Sequence, residues 1–348
     1  MRVFISGILL FFAFPGTCQV VGGKAAFSFL NIGANAHLSA LGNSNVSVID
    51  RDPYLVNGNP AMLNKKMDKV VSFSYMPYRG NIVYTSVAAA YNFKKIGPVS
   101  VSFTQLNYGK ITETLEDATV VGEFNSQDFA LAIGKSQTIG VITVGADVKL
   151  VGSKIGTYKS NAWAVDAGAL FKHPEHDFTF GMAIKNMGKV YKRYTATSKD
   201  SLPFDVQLGT SYRFKHAPLR ISLTGHHMSK WDIVYNDPNQ TTKVDEKGQP
   251  IIKKVNNLER VLRHAIVALE IMPVKFIDIR FSYNYLMSRE MSLTDGISAA
   301  GISVGGAIRW QFLEAAYTHS IVQSAGGMNT FTLNMKLGEI SNLYKREN

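Results

Sequence analysis

The sequence predicts an all-β protein, a transmembrane antiparallel β-barrel of about fourteen strands with an N-terminal plug. Three observations carry that expectation: long runs of strict apolar/polar alternation, an apolar leader at the N-terminus, and a glycine- and asparagine-rich stretch ahead of the first alternating run. Of the 348 residues, 46% are hydrophobic and only 18% charged, which excludes a disordered chain.

Met1-Arg2, an apolar run from Val3 to Phe14, and the exit Pro15-Gly16-Thr17-Cys18-Gln19 have the form of a secretory signal peptide over residues 1–18. The run is too short to span a bilayer as a helix. Cleavage near Cys18, the only cysteine, leaves a mature chain without a thiol. Acylation of Cys18 as a lipoprotein is the weaker alternative, because Thr17 is a poor match to the small residue expected before it.

Residues 19–68 read as a plug. Gly22 to Met67 is rich in Gly, Asn, Ala and Ser, yet carries Phe27, Phe29, Leu30, Leu38, Leu41 and Leu55, which need a place to be buried. A barrel lumen supplies it. Asn57, Asn59, Pro60 and Ala61 form the candidate turn that holds the plug.

Residues 69–338 read as the barrel. Between Val141 and Leu150, the set Ile142, Val144, Ala146, Val148 and Leu150 opposes Thr143, Gly145, Asp147 and Lys149. Ile277, Ile279, Phe281, Tyr283 and Tyr285 oppose Asp278, Arg280, Ser282 and Asn284 in the same way, and the pattern recurs over Phe204 to Lys215 and Thr330 to Leu337. This is the period of two that gives a strand one oily and one wet face. Such runs begin near Val70, Ile82, Val99, Gln127, Val141, Ala162, Phe178, Phe204, Leu219, Val261, Phe276, Ala299, Phe312 and Met328.

A soluble sandwich also alternates, but its strands average about five or six residues, whereas these runs reach the roughly 9 to 11 residues of a tilted membrane strand. Arg213, Lys215, Arg280 and Lys336 on the wet face suit a lumen. Tyr108, Tyr158, Trp163, Tyr212, Trp231, Tyr285 and Trp310, near run ends, are expected in interfacial girdles. Lys230 to Arg260 is expected as the longest external loop, with Trp231, Asp232, Lys243, Lys247, Lys253 and Lys254 as a candidate partner surface. Residues 339–348 form a polar tail.

The formal net charge of +11 points to anionic partners, and export turns that toward outer-membrane lipid and lipopolysaccharide rather than nucleic acid. Lys185, Lys189, Lys192, Arg193 and Lys199, interleaved with Tyr191 and Tyr194, form the candidate lipopolysaccharide-contacting stretch.

The search for catalytic chemistry gives little. His226 and His227 are adjacent, and strand neighbours point to opposite faces, so one metal ion is not expected between them. Gly134-Lys135-Ser136 lacks the upstream glycine of a P-loop, where Phe129 stands. His319-Ser320 is the nearest approach to a nucleophile and base, and it too diverges on a strand. No catalytic, cofactor-binding or metal-ligating residue is assigned, and no enzyme activity or cofactor is expected.

Several short pieces, taken in order, resemble the PorV/PorQ family of the type IX protein secretion system of Bacteroidetes-type bacteria, itself related to FadL-like barrels. They are Gly22-Gly23-Lys24 with Phe27, Phe29 and Leu30; Ala40-Leu41-Gly42; Asn59-Pro60-Ala61; Asn107-Tyr108-Gly109; and Gly122-Glu123-Phe124 followed by Asp128-Phe129-Ala130-Leu131. Then come Leu202-Pro203-Phe204-Asp205, Gln207-Leu208-Gly209, Ala217-Pro218-Leu219-Arg220, Trp231-Asp232 and Arg263-His264. Within that family the pieces resemble PorQ-type members.

This resemblance implies a fourteen-stranded barrel with a plug and a non-enzymatic role in an attachment complex that processes cargo and joins it to lipopolysaccharide. It implies a PorZ-like surface protein as the anchored partner, beside a PorV-like barrel and a PorU-like sortase. A FadL-like transporter of hydrophobic compounds is the alternative. The sequence departs from usual outer-membrane barrels in lacking a terminal aromatic strand residue, unless Leu343-Tyr344 belongs to the last strand.

Overall fold

Hydrogen-bonded neighbours run continuously from β1 round to β14 and back to β1, so the sheet closes on itself. The structure, a computed structural model, describes residues 26–78, 80–198, 200–234, 256–291, 299–323 and 326–339. The leader, the lysines at 243, 247, 253 and 254, Lys199 and Leu343-Tyr344 lie outside the described residues.

The first seven strands are β1 (Val70–Pro77), β2 (Val83–Phe93), β3 (Gly97–Thr114), β4 (Val120–Ile139), β5 (Ile142–Ile155), β6 (Tyr158–Lys172) and β7 (Phe178–Lys192). The second seven are β8 (Asp205–Arg213), β9 (Leu219–Gly225), β10 (Ala265–Val274), β11 (Ile277–Asn284), β12 (Ile302–Trp310), β13 (Leu313–Gln323) and β14 (Gly326–Lys336). Every pairing is antiparallel between sequence neighbours, and β1 closes on β14 from Val70↔Lys336 to Tyr75↔Phe331.

Alternation sets the two faces as the sequence predicts, except that Arg213, at the end of β8, and Lys215, in the turn after it, are exposed where a lumenal position was expected. Val148, Leu150, Phe281 and Phe331 point outward and are exposed. Asp147, Lys149, Asp278, Arg280, Thr330 and Asn334 point inward and are buried. Outward Phe, Leu, Val and Tyr side chains recur on all sides of the barrel, a surface far larger than the apolar patches water tolerates and one suited to lipid. Among the described residues no helix is long and apolar enough to cross a membrane.

The two ends differ. At one, where β1 begins and β14 finishes, connections such as 140–141, 275–276 and 311–312 are tight turns. At the other lie the long connections 193–204, 226–264 and 285–301. In outer-membrane barrels the short turns face the periplasm and the long loops the exterior. The turn from β1 to β2 passes through Gly80 and Asn81, both at positive φ (72° and 64°), the conformation that matches hairpin twist.

Four expected boundaries shift. β4 begins at Val120 and not near Gln127, because β3 and β4 continue past the barrel rim as a two-stranded arm, with Ile111↔Phe124 and Thr112↔Glu123 paired. β6 begins at Tyr158, ahead of Ala162. Val261 lies in helix α2 (Asn257–Arg263) and Tyr285 opens helix α3 (Tyr285–Glu290), where the sequence reading placed strand. Leu258, Val261 and Leu262 fall at helical spacing, which a short apolar run does not distinguish from alternation.

Candidate functional site

Residues 26–67 sit inside the barrel and form the core of the molecule. Asparagine and aspartate side chains fold this segment by local turns: Asn35 Oδ1 accepts from the backbone N–H of His37 (2.8 Å) and Leu38 (3.2 Å) to start the five-residue helix Ala36–Ala40, called α1. The same device recurs when Asn45 accepts from Ser47 N, Asp52 from Tyr54 N, Asn59 from Ala61 N and Asn64 from Lys66 N. Short polar side chains of this kind hold irregular backbone by capping it. Phe27, Phe29, Leu38, Leu41, Leu55, Met62, Leu63 and Met67 are all buried in one cluster with inward-facing alanines of the wall.

An irregular segment in a lumen must still satisfy its backbone. Here the wall supplies small hydroxyls on many strands. Ser86 on β2 donates to Ala34 O (2.8 Å), Ser136 on β4 to Leu63 O (2.8 Å), Thr179 on β7 to Ser47 O (2.7 Å) and Thr318 on β13 to Ala36 O (2.6 Å). In return Ala36 N donates to Thr332 Oγ1 on β14 (2.8 Å). The segment is tied to the whole circumference.

The Asn59-Pro60-Ala61 turn seats in a notch. Asn59 is fully buried, donating from Nδ2 to Val46 O (2.8 Å). Facing it are Gly145 on β5 and Gly168 on β6, register partners in the sheet. A Cβ at Gly168 would overlap Asn59 Oδ1, and one at Gly145 would overlap the Pro60 carbonyl. Asn57 accepts from Ser102 Oγ on β3 (3.0 Å).

A ladder of buried charge fills the lumen beside α1. Glu270 on β10 is the direct register partner of Arg220 on β9 and of Arg280 on β11. Its carboxylate accepts from Arg220 Nε (2.5 Å) and Nη2 (2.7 Å), from Arg280 Nε (3.3 Å), and lies 3.3 Å from His37 Nε2. Asp278 continues the chain to Arg280 (2.9 Å) and to Arg309 Nη1 on β12 (3.0 Å). Arg309 Nε in turn meets Glu314 on β13 (2.5 Å). From the plug, Arg51 reaches Glu314 (3.3 Å) and Asp50 reaches Arg220 (3.6 Å) and Arg309 (3.8 Å). Four guanidinium groups thus face four carboxylates, Asp50, Glu270, Asp278 and Glu314, so the ladder is electrically balanced before His37 is considered. None of these residues was singled out as a site from the sequence, although charges recurring at lumen-facing positions of successive strands, with Asp50-Arg51-Asp52 in the plug, were the available signal.

A second inward group corrects an expectation. Lys185 is buried on the lumen side of β7 and is no part of an external basic stretch. It lies near Lys149, whose ammonium pairs with Asp166 and donates to Asn186 Oδ1 (3.3 Å). Asn186, at positive φ (57°), bulges β7 and donates to Pro203 O (2.9 Å). Beyond this bulge Lys189, Lys192 and Arg193 are exposed.

Three girdle assignments also change. Tyr108 turns inward and donates to Asp128 Oδ2 (2.8 Å). Trp231 lies in the β9–β10 connection, stacked on His264 with ring centroids 6.5 Å apart. Tyr285 sits on α3 under Arg289, whose guanidinium is 5.8 Å from the ring centre. Tyr158, Trp163, Tyr212 and Trp310 remain exposed.

At the long-loop end Asp232 pairs with Arg260 (3.4 Å), and Glu259 on α2 binds Arg263 and Arg289 (each 3.0 Å), joining α2 to α3. The two histidines expected to diverge come together, with Nδ1 atoms 2.7 Å apart. The strand ends at Gly225, and His227 takes positive φ (58°), which turns its ring back. His319 and Ser320 do diverge: His319 bonds Asn329 on the outside (2.8 Å) and Ser320 accepts from Ser303 within (2.9 Å). Among the described residues no three His, Cys, Asp or Glu side chains are placed to hold a metal ion.

No family profile and no curated protein matches the sequence. Solved structures do match by shape: a deletion mutant of TodX, a monoaromatic hydrocarbon channel, superposes with a TM-score of 0.51 over 87% of this chain and 97% of its own, at 13% identity. The fold shared with that channel is a closed antiparallel β-barrel. A Pseudomonas aeruginosa FadL homologue (TM-score 0.45, 11% identity, 86% of this chain and 97% of that one) and the KdgM porin (0.33, 6%, 76% and 98%) also match. The likeness to TodX is one of fold.

Proposed function

We propose that this FadL-like barrel is a non-enzymatic outer-membrane component of the type IX protein secretion system, anchoring a PorZ-like surface protein. The observation that carries the reading is the latched plug. A segment bonded to wall residues from β2 to β14, and ion-paired across β9 to β13, lies within the lumen. A barrel that holds such a segment by contacts around its wall suits a scaffold that presents its outer loops. The ordered pieces resembling the PorV/PorQ family, from Gly22-Gly23-Lys24 to Arg263-His264, narrow the scaffold to that system, with a PorV-like barrel and a PorU-like sortase in the same complex.

The presenting surface on this reading is the α2–α3 platform with Trp231 and Asp232. Trp231 keeps 59% of its surface exposed while stacked on His264, an aromatic anchor of the type that dominates protein interfaces. A second reading, a transporter of hydrophobic compounds, is favoured by the shared fold with a hydrocarbon channel.

One experiment separates the two. The tagged protein is recovered from outer membranes in mild detergent, and proteins and bound lipids are identified by mass spectrometry. Capture of a large soluble surface protein with a second barrel and a cysteine transpeptidase is the expected result. Recovery of the barrel alone, carrying acyl or aromatic ligands, would overturn the anchor and establish the transporter.

A further inference from the structure

Register brings cations together on the outer wall at the long-loop end. Lys154 on β5 and Lys159 on β6 are direct cross-strand partners, on the same outward face as the pair Leu150↔Trp163. One strand further, Trp163 faces Lys189 and Asn161 faces Lys192 on β7. Arg193 follows, and all five cations are exposed. Among the described residues none of the five is ion-paired to a carboxylate within 4.0 Å, whereas the lumen-facing cations Lys149, Arg220, Arg280 and Arg309 all are.

Like charges placed directly opposite on neighbouring strands repel, with Cβ atoms only about 5 Å apart. Nothing in the fold requires Lys154 to face Lys159, so the pair calls for an anion. The level on the barrel says which. Trp163 and Tyr191, exposed by 45% and 64%, lie among the cations, as aromatics do in the headgroup layer. At the end of β7 a groove of about 540 Å³ is lined by Lys189, Tyr191, Arg193 and Thr195 together with Val190 and Ala196. Lysine ammonium groups hold phosphate as point charges, and an arginine guanidinium can grip it with two parallel hydrogen bonds.

We propose that this face of β5–β7 is a binding site for the phosphorylated headgroup of an outer-leaflet glycolipid of the lipid A type. Its phosphates sit between Lys154, Lys159, Lys189 and Arg193, its sugars lie against Tyr191 and Thr195, and its acyl chains run down past Trp163 and Leu150. The site is on the lipid-facing wall, away from the α2–α3 platform. It rests on the barrel spanning an outer membrane and not on any protein partner.

The test uses the full-length protein purified in detergent and native mass spectrometry with three probes: bis-phosphorylated lipid A, enzymatically dephosphorylated lipid A, and inorganic phosphate. The expected result is retention of the phosphorylated lipid only, weakened at least tenfold in K154A/K159A and in K189A/R193A. The charge-conserving variant K189R/R193K should keep it. Heat-modifiable migration in gels reports that each variant still forms the barrel, and a K154Q/K159Q pair replaces any variant that does not. Equal retention of the dephosphorylated lipid, or unchanged retention in the folded variants, would overturn the site. Full displacement by millimolar inorganic phosphate would overturn its assignment to lipid. Because the readout needs no protein partner, its failure is distinct from failure of the secretion reading.

Discussion

At the scale of single residues, Glu270 is the group on which most of the lumen electrostatics depends. It is 1% exposed and accepts from two guanidinium groups at once. Glu270→Ala would leave Arg220 and Arg280 buried with a deficit of negative charge, at a cost of about 3–5 kcal/mol. The midpoint of thermal unfolding in detergent should therefore drop clearly, and an unchanged midpoint would show that water already screens the ladder. His226 is a different case, lying beyond the end of β9. Burial, reinforced by His227 and His264, lowers its imidazole to about 3. The unfolded chain takes up that proton near about 6.5, so between these values the unfolded state binds more protons and stability rises with pH. Above that window the contribution is full, and it is lost as pH falls through it. Protection factors of amides in β9 and β10, taken relative to the intrinsic exchange rate at each pH, should be lower at pH 4.5 than at pH 7, and this difference should be smaller in His226→Leu.

At the scale of elements, the β5–β6 hairpin is shaped by what it must accept. Gly145 and Gly168 face each other across the ladder and leave a hole into which the Asn59 turn fits. Gly168→Val would push the turn off the wall. Overpacking of this kind costs about 1–3 kcal/mol, and here the strain falls on the plug, because the outward faces of β5 and β6 are untouched. Proteolysis at Lys65 and Lys66 should accelerate in this variant while the barrel band on gels is retained. Equal cleavage rates would mean that the notch does not hold the plug. Alternation made β5, β11 and β14 legible from sequence, with inward and outward residues placed correctly within the strands, while Tyr285 and Leu337 lie beyond the strand ends. It failed where the chain leaves the sheet. α2 and α3 carry apolar residues at spacings too short to separate helix from strand, and the rule that adjacent residues diverge does not survive the positive φ of His227. Lys185 was misplaced for a related reason. Read as part of a run of positive charges it looks external, but the bulge at Asn186 changes parity between it and Lys189.

At the scale of the whole molecule, the fourteen strands, their order and the presence of a nonstrand segment before them were readable because a membrane barrel repeats one simple pattern. The internal ladder was not, since it depends on which charges share a level once strands are staggered, and stagger is not written in any single segment. His37 and Glu270 are 233 residues apart in the chain, and Ala36 and Thr332 are 296 apart. That separation sets the order of assembly. The plug emerges first, yet its ion-pair partners are on β9 to β13 and its hydrogen-bond partner Thr332 is on the strand that closes the cylinder. Contacts between remote positions form late and slowly. The plug therefore has no finished cavity to enter; the sheet must curl around it, and the seam between β1 and β14 shuts only over a passenger already aboard.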